Sequence, residues 1–393
     1  MSRAAGFVTF LTSFTAVLRF VMPSLSSWLF YLIQASAILA APPKFTPAKF
    51  YDVEGHRGGR GDEIENTLPA FARGLINGVT TLEMDNGLTK VTDDGVVVVW
   101  HDEQILPEKC KDTKPAVPND PQFPYVNKFI ANLTLAQVKT LDCGSLRLLD
   151  FPMQLTVPGT KISTLEEVFS FVRCADPQRQ ARFNIESKVN PQFNGTTRPP
   201  GDFVTAQHAQ FVKSGYQFGQ IIYQSFDWRT LIGMKQLEPR FPRAALISST
   251  SAADMNGAPS VWLAGLNLND FAGATLGERI ASAAGSIDAT ILSPAAVNDS
   301  SPVPDPNQAG YIPLTTKAMI DRAHKIGLQV IPWTVDDLSI AQQLLDWKAD
   351  GIITDFTTNV RLLVENSGLH VHPQFDANLV NKCLQQHLQL APH

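Results

Sequence analysis

Residues 55–102 read GHRGGRGDEIENTLPAFARGLINGVTTLEMDNGLTKVTDDGVVVVWHD. A histidine lies near each end, His56 and His101, and an acidic pair, Glu83 and Asp85, lies between them two residues apart. In a β-strand that spacing places both carboxylates on one face. Such a pair repels unless a cation lies between its members, and oxygen ligands suit a hard divalent ion such as Mg²⁺ or Ca²⁺. Because histidine transfers protons near neutral pH, the stretch predicts a metal-dependent hydrolase of phosphate esters.

From Tyr51 onward, short apolar runs alternate with helical patterns, which predicts a parallel barrel with helices outside it. A TIM barrel has eight strands, so one of the nine candidates must lie outside it. The candidate strands are Asp52–Arg57, Thr80–Asp85, Val96–His101, Arg182–Lys188, Gln220–Phe226, Ala244–Ser248, Asp288–Leu292, Gln329–Thr334 and Gly351–Asp355. Helical patterns include Leu68–Ile76, Leu135–Leu141, Thr315–Ile326, Leu338–Trp347 and Ala377–Leu388.

The short link between the second and third candidate strands identifies the extra strand. It cannot hold a helical crossover, and it carries the hairpin turn Asp93-Asp94-Gly95. We therefore expect Val96–His101 to run antiparallel along the second strand and to return His101 to the level of Asp85 to Gly87. The predicted fold class is α/β, a TIM (β/α)8 barrel with a β-hairpin extension after strand 2 and loop insertions.

The candidate site residues fall at the ends of predicted parallel strands. His56 closes the first strand, Glu83 and Asp85 close the second, and Glu186 closes the next parallel one. Active sites of TIM barrels lie at this carboxyl face, so we expect the four side chains to meet there. Lys188 follows Glu186 by two residues and is expected to share its interior face, where its charge would offset that of a phosphate ester.

Several short motifs, taken together in order and spacing, resemble the glycerophosphodiester phosphodiesterase family over roughly Phe50 to Val364. The resemblance is strongest in the first third of the chain and includes the insertion after the second histidine that longer secreted members carry. The motifs are His56-Arg57-Gly58, Glu65-Asn66-Thr67, Glu83-x-Asp85, Thr92-Asp93-Asp94-Gly95, His101-Asp102, Ile185-Glu186-Ser187-Lys188, Ser225-Phe226, Trp333-Thr334-Val335 and Gly351-Ile352-Ile353-Thr354-Asp355.

The resemblance implies hydrolysis of a small glycerophosphodiester to glycerol 3-phosphate and an alcohol. It also implies that His56 and His101 act as acid and base, without deciding which is which, and that Trp333 lines the pocket beside the glycerol. Two alternatives stay open. One is phospholipase D-like cleavage of lysophospholipids, and the other is a non-catalytic secreted barrel that binds lipid headgroups or sugars.

Each candidate ligand also has a structural interpretation. Glu83, Asp85 and Glu186 are candidate metal ligands, or they form salt bridges with Arg57 and Lys188. Arg57 and Lys188 are candidate substrate ligands, because a guanidinium or an ammonium binds phosphate oxygens.

Glu65 and Trp333 are two further candidates for substrate binding, and each also has a structural alternative. Glu65 and Asn66 also suit a cap of the helix that begins at Thr67-Leu68-Pro69, with proline in its first turn. Trp333 ends a strand, where core packing is the alternative.

The amino-terminal segment suggests export. Residues 1–41 are strongly apolar, hold no acidic residue and end in small residues, which is typical of a secretory signal peptide; a membrane anchor and a buried helix are the alternatives. We expect residues 42–368 to form the phosphodiesterase barrel, with an insertion at about 103–161, and residues 369–393 to form a C-terminal tail. The predicted location is secreted, extracellular or periplasmic, or membrane-associated through residues 1–41.

Export would give the four cysteines a role. Cys110 and Cys143 flank a proline-rich insertion and would staple it, leaving Cys174 and Cys383 for each other. Four cysteines allow three pairings, and four buried free thiols are the alternative. Sequons at Asn132, Asn194 and Asn298 are candidate glycosylation sites.

The net charge of the chain bears on which class of partner it binds. The net charge is −5 and no basic run stands out, which argues against nucleic acid and leaves a small molecule as the expected partner. The sequence does not indicate an oligomeric state.

Overall fold

Short apolar runs form the strands of a single sheet. The structure, a computed structural model, describes residues 50–90, 94–252 and 258–388. Eight strands run parallel in the order β8-β7-β6-β5-β4-β2-β1-β9, and β3 pairs with β2 alone. The strands are β1 (Asp52–Gly55), β2 (Thr81–Leu88), β3 (Val97–Val99), β4 (Arg182–Ser187), β5 (Ile221–Ser225), β6 (Arg243–Ile247), β7 (Ile291–Pro294), β8 (Gln329–Val330) and β9 (Gly351–Thr354).

Backbone hydrogen bonds join the two edge strands, β8 and β9. The amide of Asp350 donates to the carbonyl of Val330, and that of Ile353 donates to the carbonyl of Pro332, both at 2.9 Å. Strand β8 is shorter than expected because Pro332 lacks an amide N–H and interrupts the ladder. The sheet is a nearly closed barrel, and the predicted TIM-barrel class is confirmed.

Helices follow most of the parallel strands and cover the outside of the barrel. Threonine caps several of them: the side chain of Thr164, for example, accepts a hydrogen bond from the amide of Glu167. No helix in the described ranges is both long and apolar enough to cross a membrane. The helices are α1 (Leu68–Asn77), α2 (Leu135–Val138), α3 (Leu165–Ala175), α4 (Pro200–Ser214), α5 (Trp228–Leu237), α6 (Ser249–Ala252), α7 (Leu276–Ser286), α8 (Lys317–Lys325), α9 (Leu338–Asp346), α10 (Thr357–Asn366) and α11 (Ala377–His387).

The apolar core has two layers. The larger layer lies between the sheet and the helices, and Leu82, Phe183 and Leu292 belong to it. A smaller cluster of Ile222, Ala244, Ile291, Ile331 and Ile353 fills the barrel interior, because successive strand residues alternate between the two faces. This interior cluster forms part of the floor beneath the carboxyl ends of the strands.

The predicted hairpin is present, with a different register. Strand β3 runs antiparallel to β2 with Leu88 opposite Val97 and Asn86 opposite Val99. Extending these pairs places His101 level with Met84, so the expectation of a level between Asp85 and Gly87 is wrong. The reason is that the ladder ends at the Thr89–Val96 pair, which leaves residues 90–95 between the two strands. Residues 91–93, which include the first residue of the predicted turn Asp93-Asp94-Gly95, lie outside the described ranges.

The insertion after His101 has an apolar cluster of its own, with Trp100, Tyr125 and Leu141 among its members. The Cys110–Cys143 disulfide staples it, and a second disulfide joins Cys174 in α3 to Cys383 in α11. The suggested pairing is therefore confirmed, and the free-thiol alternative is wrong. The predicted domain bounds stay predictions, and residues 1–41 lie outside the described ranges.

Candidate active site

Three carboxylates from neighbouring strands meet at the carboxyl end of the barrel. Glu83 and Asp85 come from β2 and Glu186 from β4, with Asp85 and Glu186 paired in register. All three side chains are buried, and one oxygen of each lies within 4.8 Å of the others. Such an all-oxygen set, buried and mutually repelling, suits a hard divalent cation.

Burial and mutual repulsion shift the pKa values of these three carboxylates. Burial and the neighbouring Asp85 raise the pKa of Glu83 well above its usual range. Burial also raises the pKa of Glu186 to about 7, although Lys188 opposes that shift. Burial would raise the pKa of Asp85 too, but the positive charges of His101 and Arg57 hold it well below its usual range. A bound cation would relieve the repulsion that the protein alone leaves in place.

Hydrogen bonds fix the two carboxylates of β2. The side-chain amide of Gln224 donates to Oε1 of Glu83 at 2.9 Å, and the backbone amide of Arg57 donates to Oε2 at 2.8 Å. Asn66 donates from Nδ2 to Oδ2 of Asp85 at 2.8 Å and accepts from its backbone amide at 3.2 Å. Asn66 is therefore not the helix cap that one interpretation of the sequence suggested.

The cap of α1 is Thr67, whose side chain accepts from the amide of Ala70 at 3.3 Å. The turn that carries His56 packs tightly against this helix. A Cβ added to Gly58, where φ is +92°, would come within 2.7 Å of the carbonyl carbon of Ala70. The His56-Arg57-Gly58 motif therefore needs glycine at its third position to let the two backbones touch.

A buried polar chain continues from Glu83 into the barrel interior. The carbonyl of Gln224 accepts from the Asn184 amide at 3.0 Å, and Asn184 also donates to Oε2 of Glu54 at 2.7 Å. Oε1 of Glu54 has no hydrogen-bond partner among the residues that the structure describes. Burial raises the pKa of Glu54 well above its usual range, and the charge of Asp52 adds to that shift.

His56 directly follows β1, and the carboxylate of Asp355 orients its ring. Its Nδ1 lies 2.7 Å from Oδ1 of Asp355, and its Nε2 lies 4.0 Å from Oε2 of Glu83. Arg60 donates to both oxygens of Asp355, from Nε at 3.0 Å and Nη2 at 2.7 Å. Burial lowers the pKa of His56, while Asp355 opposes that shift.

His101 is oriented by a second acidic group. Its Nδ1 lies 2.9 Å from Oδ1 of Asp102. The ammonium of Lys109 contacts Oδ2 of Asp102 at 2.5 Å and Oε1 of Glu65 at 2.7 Å. Burial, followed by the charges of Lys188 and Arg57, lowers the pKa of His101 to about 4. Both histidines thus have Nδ1 on a carboxylate, which favours Nε2 as the atom that faces a substrate.

The two cationic candidates lie beside the carboxylates. Arg57, in the left-handed region at φ +52°, donates from Nη1 to both oxygens of Glu65, and its Nε lies 3.2 Å from Asp85. Nζ of Lys188 lies 3.1 Å from Glu186 and 3.8 Å from Asp85. The salt bridges that the sequence offered as an alternative to metal binding are therefore formed by Asp85 and Glu186. Glu83 instead accepts a hydrogen bond from the backbone amide of Arg57.

A cavity of about 230 Å³ brings these groups together. The indole of Trp333 is half-buried at its wall, donates to the carbonyl of Ser293 at 2.8 Å, and meets the ring of Phe226 edge-on at 5.3 Å. Glu65 does not line the cavity itself and instead lies behind Arg57. The predicted site residues on its wall are His56, Arg57, Glu83, Asp85, His101, Glu186, Lys188 and Trp333.

Residues 56–359 match the glycerophosphoryl diester phosphodiesterase family. The chain belongs to that family. It is thereby a phosphoric diester hydrolase by class, as predicted. Over 317 residues it is 26% identical to the glycerophosphodiester phosphodiesterase of Caldanaerobacter subterraneus subsp. tengcongensis, which covers 80% of this chain and 98% of that protein.

Solved structures share the fold of this phosphodiesterase family member. A Silicibacter pomeroyi DSS-3 protein assigned to the same activity has a TM-score of 0.63 at 24% identity and covers 82% of this chain and 96% of its own. An Oleispira antarctica phosphodiesterase, in complex with the product sn-glycerol-3-phosphate, has a TM-score of 0.54 at 18% identity and covers 80% and 97%. At these identities the likeness establishes the barrel.

Five neighbours of the site were not predicted from the sequence: Arg60, Lys109, Asn184, Gln224 and Asp355. Asp355 follows β9 directly, and its place at the carboxyl end of a barrel strand is a signal that would have found it. Asn184 and Gln224 stand inside strands, where a lone polar residue in an apolar run is a weaker signal. Lys109 comes from the insertion, and no spacing or period predicts its contact with Asp102.

Proposed function

We propose that this protein hydrolyses glycerophosphodiesters to glycerol 3-phosphate and an alcohol, with a divalent cation and with His56 and His101 as acid and base. The observation that supports the proposal is that one cavity is lined by both histidines and by all three clustered carboxylates. The product bound to the Oleispira antarctica relative, sn-glycerol-3-phosphate, is the phosphate product that this reaction would release.

Glu83, Asp85 and Glu186 would hold the cation, and their oxygen donors suit Mg²⁺ or Ca²⁺. When bound, the cation supplies a Lewis acid that offsets the charge on the phosphate oxygens. Arg57 and Lys188 add positive charge on the same side of the cavity, where negative charge grows in the transition state.

The histidines move the protons. The P–O bond to the alcohol breaks while the nucleophile's oxygen bonds to phosphorus. One histidine removes the nucleophile's proton through Nε2, and the other protonates the oxygen of the departing alcohol. Asp355 and Asp102 each hold one ring by Nδ1, so both rings keep a fixed orientation through the reaction.

Alanine variants of the two histidines test the proposed roles. H56A and H101A are each expected to lower kcat for glycerol 3-phosphate release by about 10²–10⁴-fold, the usual contribution of a general acid or base. H324A is the matched control, because His324 is exposed and pairs with Asp350 away from the cavity. Unchanged turnover in H56A or H101A, with native circular dichroism, would remove that histidine from the mechanism.

The export prediction belongs to the same proposal. Two disulfides and no free cysteine are what an oxidising compartment favours, which supports a secreted or periplasmic location. Asn132 and Asn194 are exposed in the structure, so their sequons are open to a glycosylation enzyme. Cleavage after the first 41 residues stays a prediction that N-terminal sequencing of the mature protein would test.

A further inference from the structure

A cluster of exposed apolar side chains lies on the loop of residues 148–155, which we call the rim loop. Its sequence is LLDFPMQL. Leu149 is 97% exposed, Met153 78% and Leu155 55%, and within the described ranges no other large apolar side chain is as exposed as Leu149 or Met153. Single exposed apolar residues are common, but three within seven residues form a patch of the kind that marks an interaction surface.

The rim loop borders the cavity of the candidate active site. The ring of Phe151 packs on the guanidinium of Arg60, whose Cζ lies 4.6 Å from the ring centroid. Arg60 itself lines the cavity and donates to Asp355, the carboxylate that orients His56. The exposed apolar side chains therefore lie at the rim of the cavity, on the side of His56.

Hydrogen bonds fix the path of the rim loop. Gln154 is buried, and its Oε1 accepts a hydrogen bond from the amide of Leu148 at 3.1 Å. Its Nε2 donates to the carbonyl of Arg60 at 2.7 Å. The loop is thus closed on itself and tied to the turn that carries Arg60. Because its path is fixed, Leu149 and Met153 are held in water rather than folded onto the barrel.

Two opposite charges accompany the apolar patch. Arg147 and Asp150 are exposed on either side of Leu149 in the chain, and their side chains form no hydrogen bond or ion pair with any residue that the structure describes. A phosphocholine headgroup carries the complementary pair, a phosphate for the guanidinium and a quaternary ammonium for the carboxylate. An anionic membrane fits less well, because Asp150 and the net charge of −5 oppose its approach.

We infer that the rim loop docks the protein on a zwitterionic phospholipid surface. Leu149 and Met153 enter the boundary between headgroups and acyl chains, and Arg147 and Asp150 pair with the charges of the headgroups. So few side chains cannot make a stable protein interface, which takes about 20–30 residues a side, whereas a lipid surface needs no matching shape. The inference goes beyond the proposed function, since docking needs neither the cation nor turnover.

An environment-sensitive fluorophore tests the docking. M153C provides one free thiol for a nitrobenzoxadiazole label, because all four native cysteines form disulfides. We expect its emission to shift to shorter wavelength and to rise severalfold when phosphatidylcholine vesicles are added. L237C is the matched control and is expected to keep its spectrum. Leu237 is an exposed apolar residue at the end of α5, which runs back toward the opposite end of the barrel.

A second substitution tests the patch itself. L149Q, added to the labelled M153C protein, is expected to lower the vesicle partition coefficient by about tenfold, because it removes most of the apolar surface that enters the lipid. All of these proteins keep residues 1–41, so any vesicle binding by that segment is common to them.

Several results would overturn the inference: an unchanged spectrum at M153C, an equal change at M153C and L237C, or an unchanged partition coefficient on adding L149Q. A spectral change that needs no lipid and follows a dimer in sedimentation velocity would also overturn it, and would mean that a second copy covers the rim loop. None of these measurements uses turnover, so failure of the inference and failure of the proposed function are distinguishable.

Discussion

Gln224 is the side chain that donates a hydrogen bond to Glu83 from the barrel interior. Its amide donates to Glu83 and its carbonyl accepts from Asn184, so the side chain cannot turn without losing both hydrogen bonds. Q224L keeps the volume and removes these hydrogen bonds. We expect it to weaken the affinity for the activating cation by about 10–100-fold, as the loss of a partner behind a metal ligand usually does.

Metal-dependence curves of turnover and direct titration of the cation by calorimetry measure that effect. Q236L is the control, because Gln236 is an exposed glutamine on α5 that does not line the cavity. A Q224L protein that binds the cation as tightly as Q236L would show that Glu83 needs no support from the barrel interior.

Glu54 gives a pH-dependent prediction. Burial raises its pKa in the folded protein, so the proton is bound more tightly in the folded state than in the unfolded state. The stability it contributes is full below its unfolded pKa, near 4.5, and is lost as the pH rises toward the folded pKa. E54Q stays neutral at every pH. We therefore expect the stability of E54Q relative to wild type to increase between about pH 5 and pH 8.

Urea unfolding midpoints at several pH values, with the disulfides intact, measure this difference. In E108Q an exposed carboxylate is replaced, and its difference from wild type is expected to stay constant with pH. A pH-independent difference between E54Q and wild type would mean that Glu54 is ionised in the folded state.

At the residue scale, sequence spacing located the side chains that share a strand or a strand end. His56, Glu83, Asp85 and Glu186 meet as expected because the two-residue period and the common direction of the strands leave little freedom. Contacts made by loops carry no such period. The bond between Lys109 and Asp102 depends on the path of the insertion, which no local pattern specifies.

At the element scale, alternation predicted all nine strands, and link length correctly separated β3 from the barrel. The register of the hairpin was less accessible, because it depends on where the ladder ends rather than on hydrophobic pattern. Asn86 to Leu88 pair with strand residues that are buried on both faces, so no alternation of polar and apolar residues fixes the register.

The disulfide of the insertion has a consequence for His101. Cys110 adjoins Lys109, whose ammonium holds Asp102 and Glu65 behind the histidine. Replacing the disulfide in C110S/C143S frees that segment. We expect kcat/KM to fall by about 10–100-fold, since a displacement of 1 Å at a reacting group costs up to about that much. Steady-state kinetics at a temperature where the variant is folded measures the effect.

C174S/C383S is the matched comparison, because it also removes one disulfide but lies between α3 and α11. It is expected to lose stability, by about 2–5 kcal/mol, with kcat/KM retained at 25 °C. Equal losses of kcat/KM in the two double variants would contradict a specific role for the insertion.

At the scale of the whole molecule, the barrel strands and the loops supply different residues of the site. The barrel strands deliver the carboxylates, His56 and Lys188 to one rim, and the hairpin and its insertion add His101 with the residues that orient it. The loops after β4, β5 and β6 line a second cavity, of about 370 Å³, that adjoins the first. The motifs that carry the resemblance identified the residues of the first cavity, because several of these motifs lie on strands or directly after them. The second cavity lies largely in loops, where sequence alone did not reveal it.

The most direct test is release of glycerol 3-phosphate from glycerophosphocholine, with and without EDTA, followed by separate addition of Mg²⁺ and Ca²⁺. We predict turnover that stops on chelation and returns with one of the two ions. Turnover that persists in excess EDTA would contradict the metal role of Glu83, Asp85 and Glu186. No turnover under any condition would contradict the reaction itself, and lysophospholipids would then be the substrates to assay.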